Sequence, residues 1–176
     1  MASTTHIGPQ ARAAAVLDDG KFLTFNLARE QYGIGILKVR EIMGMMPFTP
    51  VPRTPDFVKG VINLRGKVIP VVDLRLKFGL PQAAYGERTC IIVVAALTAA
   101  GLTPMGIVVD SVSEVANIRP EQVEGAPAFG VELDTEFIMG MAKVGQEVKI
   151  LLDIDRVLNE REPNLVARAA QKKNCP

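Results

Sequence analysis

The sequence predicts an all-β protein built from small barrels, in which helix is a minor component. Many short apolar runs alternate with polar residues, and this period of two is typical of half-buried strands. Glycine, proline and acidic residues separate the runs at short intervals. Long helical segments do not stand between the strands, as they would in a parallel sheet covered by helices. We therefore expect two compact β subdomains.

The first strand is predicted over residues 22–27, beginning near Lys21, because every second side chain is apolar and the others are mainly polar. In residues 32–36, bulky side chains alternate with Gly33 and Gly35. One face is therefore bare, which allows a bend or the close approach of another backbone. We interpret this second run as the hairpin partner of the first.

A proline-rich break follows. Two prolines in residues 49–53 remove backbone donors and fix φ, so this stretch is not a central strand. Thr54 can cap a helix whose first turn holds a proline and an acid, and Gly60 can end that helix one turn later. We therefore predict a very short helix between these two residues.

The first half closes with a strand and a capped helix. Residues 67–72 form an apolar strand, and Asp73 is the residue type that caps the start of a helix. The helix is predicted over residues 74–78, with Gly79 as its end.

The second half repeats this order of elements. A helix is predicted over residues 156–162, with Asp155 as its cap and Pro163 after it. The cleanest alternating apolar face before that helix is formed by Ile150, Leu152 and Ile154. The strands of this half are predicted at residues 90–95, 105–110, 137–144 and 148–154.

One segment raises the question of a membrane helix. The stretch from Cys90 to Val109 contains no charged side chain, and ~20 apolar residues are enough to cross a bilayer core. However, residues 99–104 contain a glycine and a proline in the middle of the stretch, and β-branched blocks flank them. We therefore predict a β-hairpin.

Composition argues against several classes of function. The chain is 48% hydrophobic and 22% charged, which is sufficient for a buried core. The chain has 20 Lys and Arg residues and 19 Asp and Glu residues, so its formal net charge is +1. This charge creates no broad electrostatic field that would attract nucleic acid or acidic lipid. Stacking aromatics are scarce too, since the chain has no Trp and two Tyr. A barrel that binds single-stranded nucleic acid is therefore disfavoured.

Residues for catalysis and cofactor binding are also scarce. The single histidine, His6, lies in an N-terminal segment where we expect no fixed position beside a nucleophile. Cys90 and Cys175 have neither metal-ligand spacing nor a disulfide framework, and a reducing cytoplasm fits them best. No phosphate-binding loop is present. We expect a non-enzymatic protein without metal or cofactor.

Two polar features have competing interpretations. Asp153 and Asp155 could form a carboxylate pair, but alternation places both on the outward face of a strand before a helix cap. We interpret them as surface and capping residues. Arg65 lies in the sharp turn of residues 63–66, where it is either a solvated charge or a guanidinium placed for planar bidentate bonding.

Met43, Met45 and Met46 form a flexible apolar cluster close to Phe48. Such clusters fill irregular spaces in cores, and they also build adaptable binding surfaces. We favour core packing for this one.

The run INLRGKVIPVVDLRLKFG, residues 62–79, resembles the signature stretch of the CheW-like domain family. The similarity continues on both sides, through YGIGILKVREI and TPDFVKGV upstream and through GIVVDSVSEV and ILLDIDRVL downstream. It implies two intertwined five-stranded β-barrels that resemble SH3 domains, with a hydrophobic core between them. We place this domain at residues 21–162, between flexible tails of residues 1–20 and 163–176.

The resemblance also implies a function. Members of the family act as chemotaxis adaptors, which couple the cytoplasmic tips of chemoreceptors (methyl-accepting chemotaxis proteins) to the histidine kinase CheA. A groove between the barrels takes the receptor tip. The positions that match the family's receptor contacts are Val39, Glu41, Gly60, Arg65, Gly106, Val112 and Val115. The glycines allow close backbone approach, the valines are apolar, and Arg65 and Glu41 supply orientation.

The regulatory domain of CheA is the second implied partner, and other CheW-like proteins are further ones. We expect one kinase-facing patch near Ile42 and Met43 in the first barrel and another around Phe129 in the second. Glu124 stands where the family often has a basic residue, so pairing at that edge can differ in sign. The connection from Leu97 to Met105 is longer than in compact relatives.

Three alternatives stay open. The chain could be a CheW-like domain cut from a larger kinase or from a receiver fusion, although Met1 and the polar C-terminal tail favour a complete chain. It could be a small nucleic-acid-binding barrel, or an enzyme of another family with a cluster of perturbed carboxylates. The adaptor interpretation predicts a cytoplasmic protein that is recruited to receptor arrays at the inner membrane and touches the membrane only through receptors.

Overall fold

The computed structural model of the protein describes residues 20–125 and 137–158. Both predicted tails, apart from Gly20, and the predicted contact Phe129 lie outside these ranges. The strands, in chain order, are β1 (Lys21–Leu27), β2 (Glu30–Gly35), β3 (Val39–Gly44), β4 (Val58–Leu64), β5 (Lys67–Asp73), β6 (Cys90–Thr98), β7 (Gly101–Val109), β8 (Ser111–Asn117), β9 (Val123–Glu124), β10 (Ile138–Val144) and β11 (Glu147–Leu152). The helices are α1 (Leu74–Lys77) and α2 (Ile154–Leu158), with 3-10 turns at Ile36–Lys38 and Pro120–Gln122.

The strands form two sheets, and the chain passes from one to the other and back. A five-stranded sheet has the order β3-β6-β7-β5-β4, and we call it the first barrel. A six-stranded sheet has the order β8-β1-β2-β11-β10-β9, and we call it the second barrel. Because β1 and β2 precede the first barrel while β8 to β11 follow it, the subdomains are intertwined as predicted. The sixth strand is the two-residue β9, which pairs with β10.

Three groups of buried apolar side chains hold these sheets together. One lies inside each barrel, and a third, which we call the central core, packs the two sheets against each other. Alternate residues of β6 serve different groups: Ile91 and Val93 point into the first barrel, whereas Ile92 and Val94 belong to the central core. A strand buried on both faces carries no charge. The central core comprises Leu23, Phe25, Leu27, Ile34, Leu74, Ile92, Val94, Ile107, Val109, Leu152, Ile154 and Val157.

This double burial explains the uncharged stretch from Cys90 to Val109. Strands β6 and β7 pair along their whole length, up to the turn between Thr98 and Gly101, so the predicted hairpin is confirmed. The part called a connection in the sequence is therefore mostly paired strand. In the described part of the chain, none of the helices is long and apolar enough to cross a membrane.

The predicted helix between Thr54 and Gly60 is wrong. A single turn, closed by a bond from Val58 N to Pro55 O, leads directly into β4. Gly60 lies inside that strand at φ +138°, where the pairing of β4 with β5 shifts register. The local capping signal is overridden because Val58 to Leu64 pair with β5, which buries Ile62 in the first barrel.

The assignment of Asp155 as a helix cap is also wrong, whereas Asp73 is confirmed as one. Asp73 Oδ1 accepts bonds from the backbone N–H groups of Arg75 and Leu76. In the second barrel the corresponding role belongs to Asp153, whose Oδ1 accepts from Arg156 N at 3.4 Å. The helix begins at Ile154, two residues earlier than predicted, because Ile154 packs into the central core.

Asp155 instead joins three separate parts of the chain. Its Oδ2 lies 2.7 Å from Lys38 Nζ, on the 3-10 turn after β2, and its Oδ1 accepts a bond from Leu97 N at 2.8 Å. It thus ties α2 to the β6–β7 hairpin and to the turn that leads into β3.

We expect Asp155→Ala to lower the free energy of unfolding by about 1–3 kcal/mol, because it removes a partly buried charge-assisted bond and leaves Leu97 N without its acceptor. Urea denaturation measures the difference. The matched control is Glu124→Ala, which breaks the well-exposed pair with Lys143 and should cost under about 1 kcal/mol. Equal effects of the two substitutions would contradict the anchoring role of Asp155.

Candidate functional site

Arg65 and Glu41 form a bidentate ion pair at the mouth of the first barrel. Arg65 Nη1 lies 3.3 Å from Glu41 Oε1, and Nη2 lies 2.5 Å from Oε2. Arg65 occupies the β4–β5 turn at φ +49°, and Asn63 Oδ1 fixes that turn by accepting from Gly66 N. The hydrogen bonds and the charge of Glu41 raise the pKa of Arg65. Arg65 combines features of both interpretations, because its guanidinium is largely solvent-exposed and makes a planar bidentate pair with a carboxylate of the same chain.

The guanidinium is nevertheless open to a partner. The Arg65 side chain is 74% exposed, whereas that of Glu41 is 30% exposed. One face of the pair is therefore held by the protein while the other faces solvent. Such an arrangement presents a fixed charge and spare N–H donors at a defined position.

The two predicted contact glycines are buried and serve packing. A Cβ on Gly60 would lie 2.2 Å from the carbonyl oxygen of Thr49, so the backbone that approaches Gly60 closely belongs to this chain. At Gly106 the neighbours are side chains instead: an added Cβ would lie 3.0 Å from Ile91 Cγ2 and 3.2 Å from Val71 Cγ2. Both glycines are buried, and both allow the strands of the first barrel to pack closely.

The three predicted contact valines share a different side of the fold. Val39 and Val112 are partly buried and pack against the central core. Val115 is exposed on β8 and pairs with Leu23, a central-core residue, so it points to the same side of its sheet. We call Val39, Val112 and Val115 the valine group.

Val39 and Glu41, two of the predicted receptor contacts, lie on opposite faces of the first barrel's sheet, whereas Val112 and Val115 lie on β8 of the second barrel's sheet. Val39 pairs with Val94, which faces the central core, whereas Glu41 pairs with Val93, which faces the barrel interior. Regular alternation would place residues 39 and 41 on one face. A register shift between them separates the two.

The predicted kinase contacts are dispersed among three environments. Ile42 is exposed on β3, while Met43 is half-buried and packs against the first barrel's core. Met45, Met46 and Phe48 pack there too, which confirms core packing for the methionine cluster. Glu124, on β9, has its negative charge neutralised locally by Lys143 Nζ at 2.7 Å.

Sequence reasoning missed several exposed apolar side chains. Leu97 and Leu102 face each other across the β6–β7 hairpin, and both are largely exposed although they lie in strands. Because the hairpin is paired to its tip, these leucines are held in place rather than carried on a loop. Val68 and Val148, in β5 and β11, are exposed as well.

The family assignment rests on a match over the whole domain. A family model described as the CheW-like domain matches residues 21–162. The chain belongs to the CheW-like domain family. The resemblance seen in residues 62–79 therefore extends over most of the sequence.

Relatives of known name support this membership. Chemotaxis protein CheW of Klebsiella aerogenes is 44% identical over 151 residues, which cover 86% of this chain and 89% of that protein. Probable chemotaxis protein CheW of Rhizobium etli is 29% identical over 82% of this chain and 90% of its own length. The crystal structure of the scaffolding protein TtCheW from Thermoanaerobacter tengcongensis superposes with a TM-score of 0.70 at 35% identity, covering 78% of this chain and 91% of that one.

These CheW-like relatives are named as chemotaxis and scaffolding proteins, not as enzymes, which confirms the prediction of a non-enzymatic protein. The one cysteine among the described residues fits this conclusion. Burial raises the pKa of the Cys90 thiol, so the reactive thiolate is disfavoured.

Proposed function

We propose that this chain is an adaptor that couples the cytoplasmic tips of chemoreceptors to a CheA-type histidine kinase and lets receptors control kinase activity. Membership of a family whose relatives are named chemotaxis and scaffolding proteins supports the proposal most directly. The architecture is consistent with it, because two barrels around one central core offer separate surfaces for two partners. An adaptor uses its free energy in interfaces and needs no catalytic group.

The receptor tip is assigned to the side of the fold that carries the valine group, with the ion pair of Glu41 and Arg65 at its edge. Val115 is exposed while Val39 and Val112 are partly buried, and such aliphatic side chains suit the apolar face of a coiled coil. A guanidinium that is already oriented loses little side-chain entropy when it binds a receptor carboxylate or carbonyl. Gly60 and Gly106 contribute indirectly, by allowing β4 and β7 to pack as they do.

The kinase regulatory domain is assigned to the other predicted residues, Ile42, Met43, Glu124 and Phe129. Ile42 supplies the exposed apolar surface of β3, and Met43 supports it from beneath. Because Lys143 neutralises its charge, Glu124 contributes little to the electrostatic field at this edge. The proposed location is the cytoplasm, at receptor arrays on the inner membrane.

We expect Arg65→Glu to weaken receptor binding about tenfold or more while kinase binding is retained, because it places two carboxylates together and removes the exposed guanidinium. Co-sedimentation with a receptor cytoplasmic fragment and a CheA-type kinase, followed by a kinase assay, measures both interactions. The matched control is Arg53→Glu, since Arg53 is another exposed arginine at positive φ, +64°, in the first barrel.

The double variant Glu41→Arg with Arg65→Glu separates two modes of action. It restores an ion pair with the charges exchanged. Recovery of receptor binding would mean that the pair acts by fixing the mouth of the barrel, whereas continued loss would mean that Arg65 contacts the receptor. If the wild-type protein binds neither partner, the proposed function is wrong.

A further inference from the structure

The β6–β7 hairpin projects past the rest of the first barrel and remains ordered to its tip. Its last pair is Thr98 with Gly101, and the Thr98 and Thr103 hydroxyls lie 2.8 Å apart on one face. On the opposite face stand Leu97 and Leu102. The bond from Leu97 N to Asp155 fixes this projecting part against α2. The β6–β7 hairpin thus holds the exposed side chains of Leu97 and Leu102 in fixed positions at the surface.

Leu102 forms one wall of a pocket of about 360 Å³ at the mouth of the first barrel. Its apolar lining comprises Leu64, Ile69, Val93, Ala95, Leu102 and Pro104. Ile69 and Val93 also belong to the barrel's core, so an occupant would rest on core side chains. The volume lies within the range of about 300–1,000 Å³ that is common for binding pockets. We call this feature the hairpin pocket.

The polar rim of the hairpin pocket has an excess of positive charge. Arg40, Arg65 and Lys67 line it, against a single carboxylate, Glu41. Glu41 is already bonded to Arg65. Arg40 and Lys67 are exposed and have no ion pair among the described residues. An aliphatic floor beneath two uncompensated cations fits an aliphatic side chain flanked by carboxylates.

We propose that the hairpin pocket docks an acidic polypeptide segment of a partner, with a leucine-like side chain above Ile69 and Val93 and carboxylates beside Arg40 and Lys67. The pocket is distinct from the valine group, whose members lie on the central-core sides of the two sheets. None of the lining residues is aromatic, which disfavours stacking of nucleic-acid bases. The site shares Glu41 and Arg65 with the proposed receptor contacts, but it goes beyond the proposed coupling function because Leu102, Arg40 and Lys67, which are not among those contacts, hold its occupant.

The probe for this site is a fluorescein-labelled hexapeptide of alternating Glu and Leu, titrated with the protein by fluorescence anisotropy. We expect saturable binding that weakens about tenfold or more in Leu102→Ser, because the wall that buries the peptide's leucine is removed. Lys67→Glu should weaken it by a similar factor, and so should replacing Glu by Gln in the peptide. The matched control is Leu37→Ser, because Leu37 is 69% exposed and Leu102 is 63% exposed, and Leu37 lies outside the pocket.

Several outcomes would overturn the proposal: no binding by the wild type, equal binding by Leu102→Ser, or equal binding of the Gln peptide. Binding of phosphatidylglycerol vesicles without binding of the peptide would also overturn it. Urea denaturation of each variant checks that the fold is retained. Receptor and kinase co-sedimentation of the wild type separates this site from the coupling function. A wild type that binds the peptide but assembles with neither partner would leave only the coupling proposal wrong.

Discussion

Gly60→Ala is expected to lower the free energy of unfolding by at least about 3 kcal/mol, and to abolish receptor coupling through loss of the fold. The new Cβ would stand 2.2 Å from Thr49 O, where real Cβ atoms do not occur. That oxygen accepts a bond from Val61 N, and Thr49 N donates to Val61 O in return, so the pair of bonds would break. The φ of +138° adds strain for any side chain. Thermal and urea unfolding measure the loss.

Gly66→Ala is the matched control, because Gly66 also has positive φ, +85°, but an added Cβ there meets nothing within 4 Å. We expect it to cost only about 1–2 kcal/mol, from backbone strain alone. If Gly60→Ala were as stable as the wild type and lost only receptor binding, Gly60 would be a direct contact and the packing explanation would be wrong.

Asp73→Ala is expected to cost about 3 kcal/mol, because it leaves three donors without their acceptor in a buried place. The Asp73 residue is 3% exposed. Its Oδ1 caps α1, and its Oδ2 accepts the hydroxyl of Tyr85 at 2.9 Å. Removal therefore affects both the helix that carries Leu74 into the central core and the segment between Tyr85 and β6. Urea denaturation of the purified variant measures the cost.

Tyr85→Phe is the control that removes one of these bonds and keeps the cap. We expect a loss of about 1 kcal/mol, consistent with a single partly exposed hydrogen bond. A cost for Asp73→Ala no larger than for Tyr85→Phe would show that the cap contributes nothing.

Sequence patterns predicted the strands whose alternation or apolar blocks are strong, namely β1, β2, β5, β6, β7, β10 and β11. They did not predict β3, where exposed and half-buried residues alternate without a continuous apolar face. They placed a helix between Thr54 and Gly60, which overlaps the start of β4, because these two residues carry a strong local capping signal. Strand pairing with β5 contributes more than one helical turn does, and that pairing is not visible in the local sequence.

The candidate site was predicted as a set of residues from the family resemblance, but their arrangement was not. Glu41 and Arg65 are 24 positions apart, and their ion pair forms because β3 and the β4–β5 turn meet at one mouth. The hairpin pocket was missed because Leu97 and Leu102 were interpreted as part of a connection. No local signal distinguishes an exposed leucine on a rigid hairpin from one on a loop.

The sequence by itself determined the all-β class, the hairpin of residues 90–109, the cap at Asp73 and the family. These depend on alternation, β-branched blocks and side-chain chemistry within a few residues. Only the tertiary structure decided which faces the site residues occupy. A register shift in β3 places Val39 and Glu41 on opposite faces of their sheet. A second register shift, between β1 and β8, places Val112 and Val115 on one face, although residues three positions apart in a regular strand lie on opposite faces. A bulge forms where two paired strands must both satisfy their cores, so its position depends on the partner strand and not on the segment that contains it.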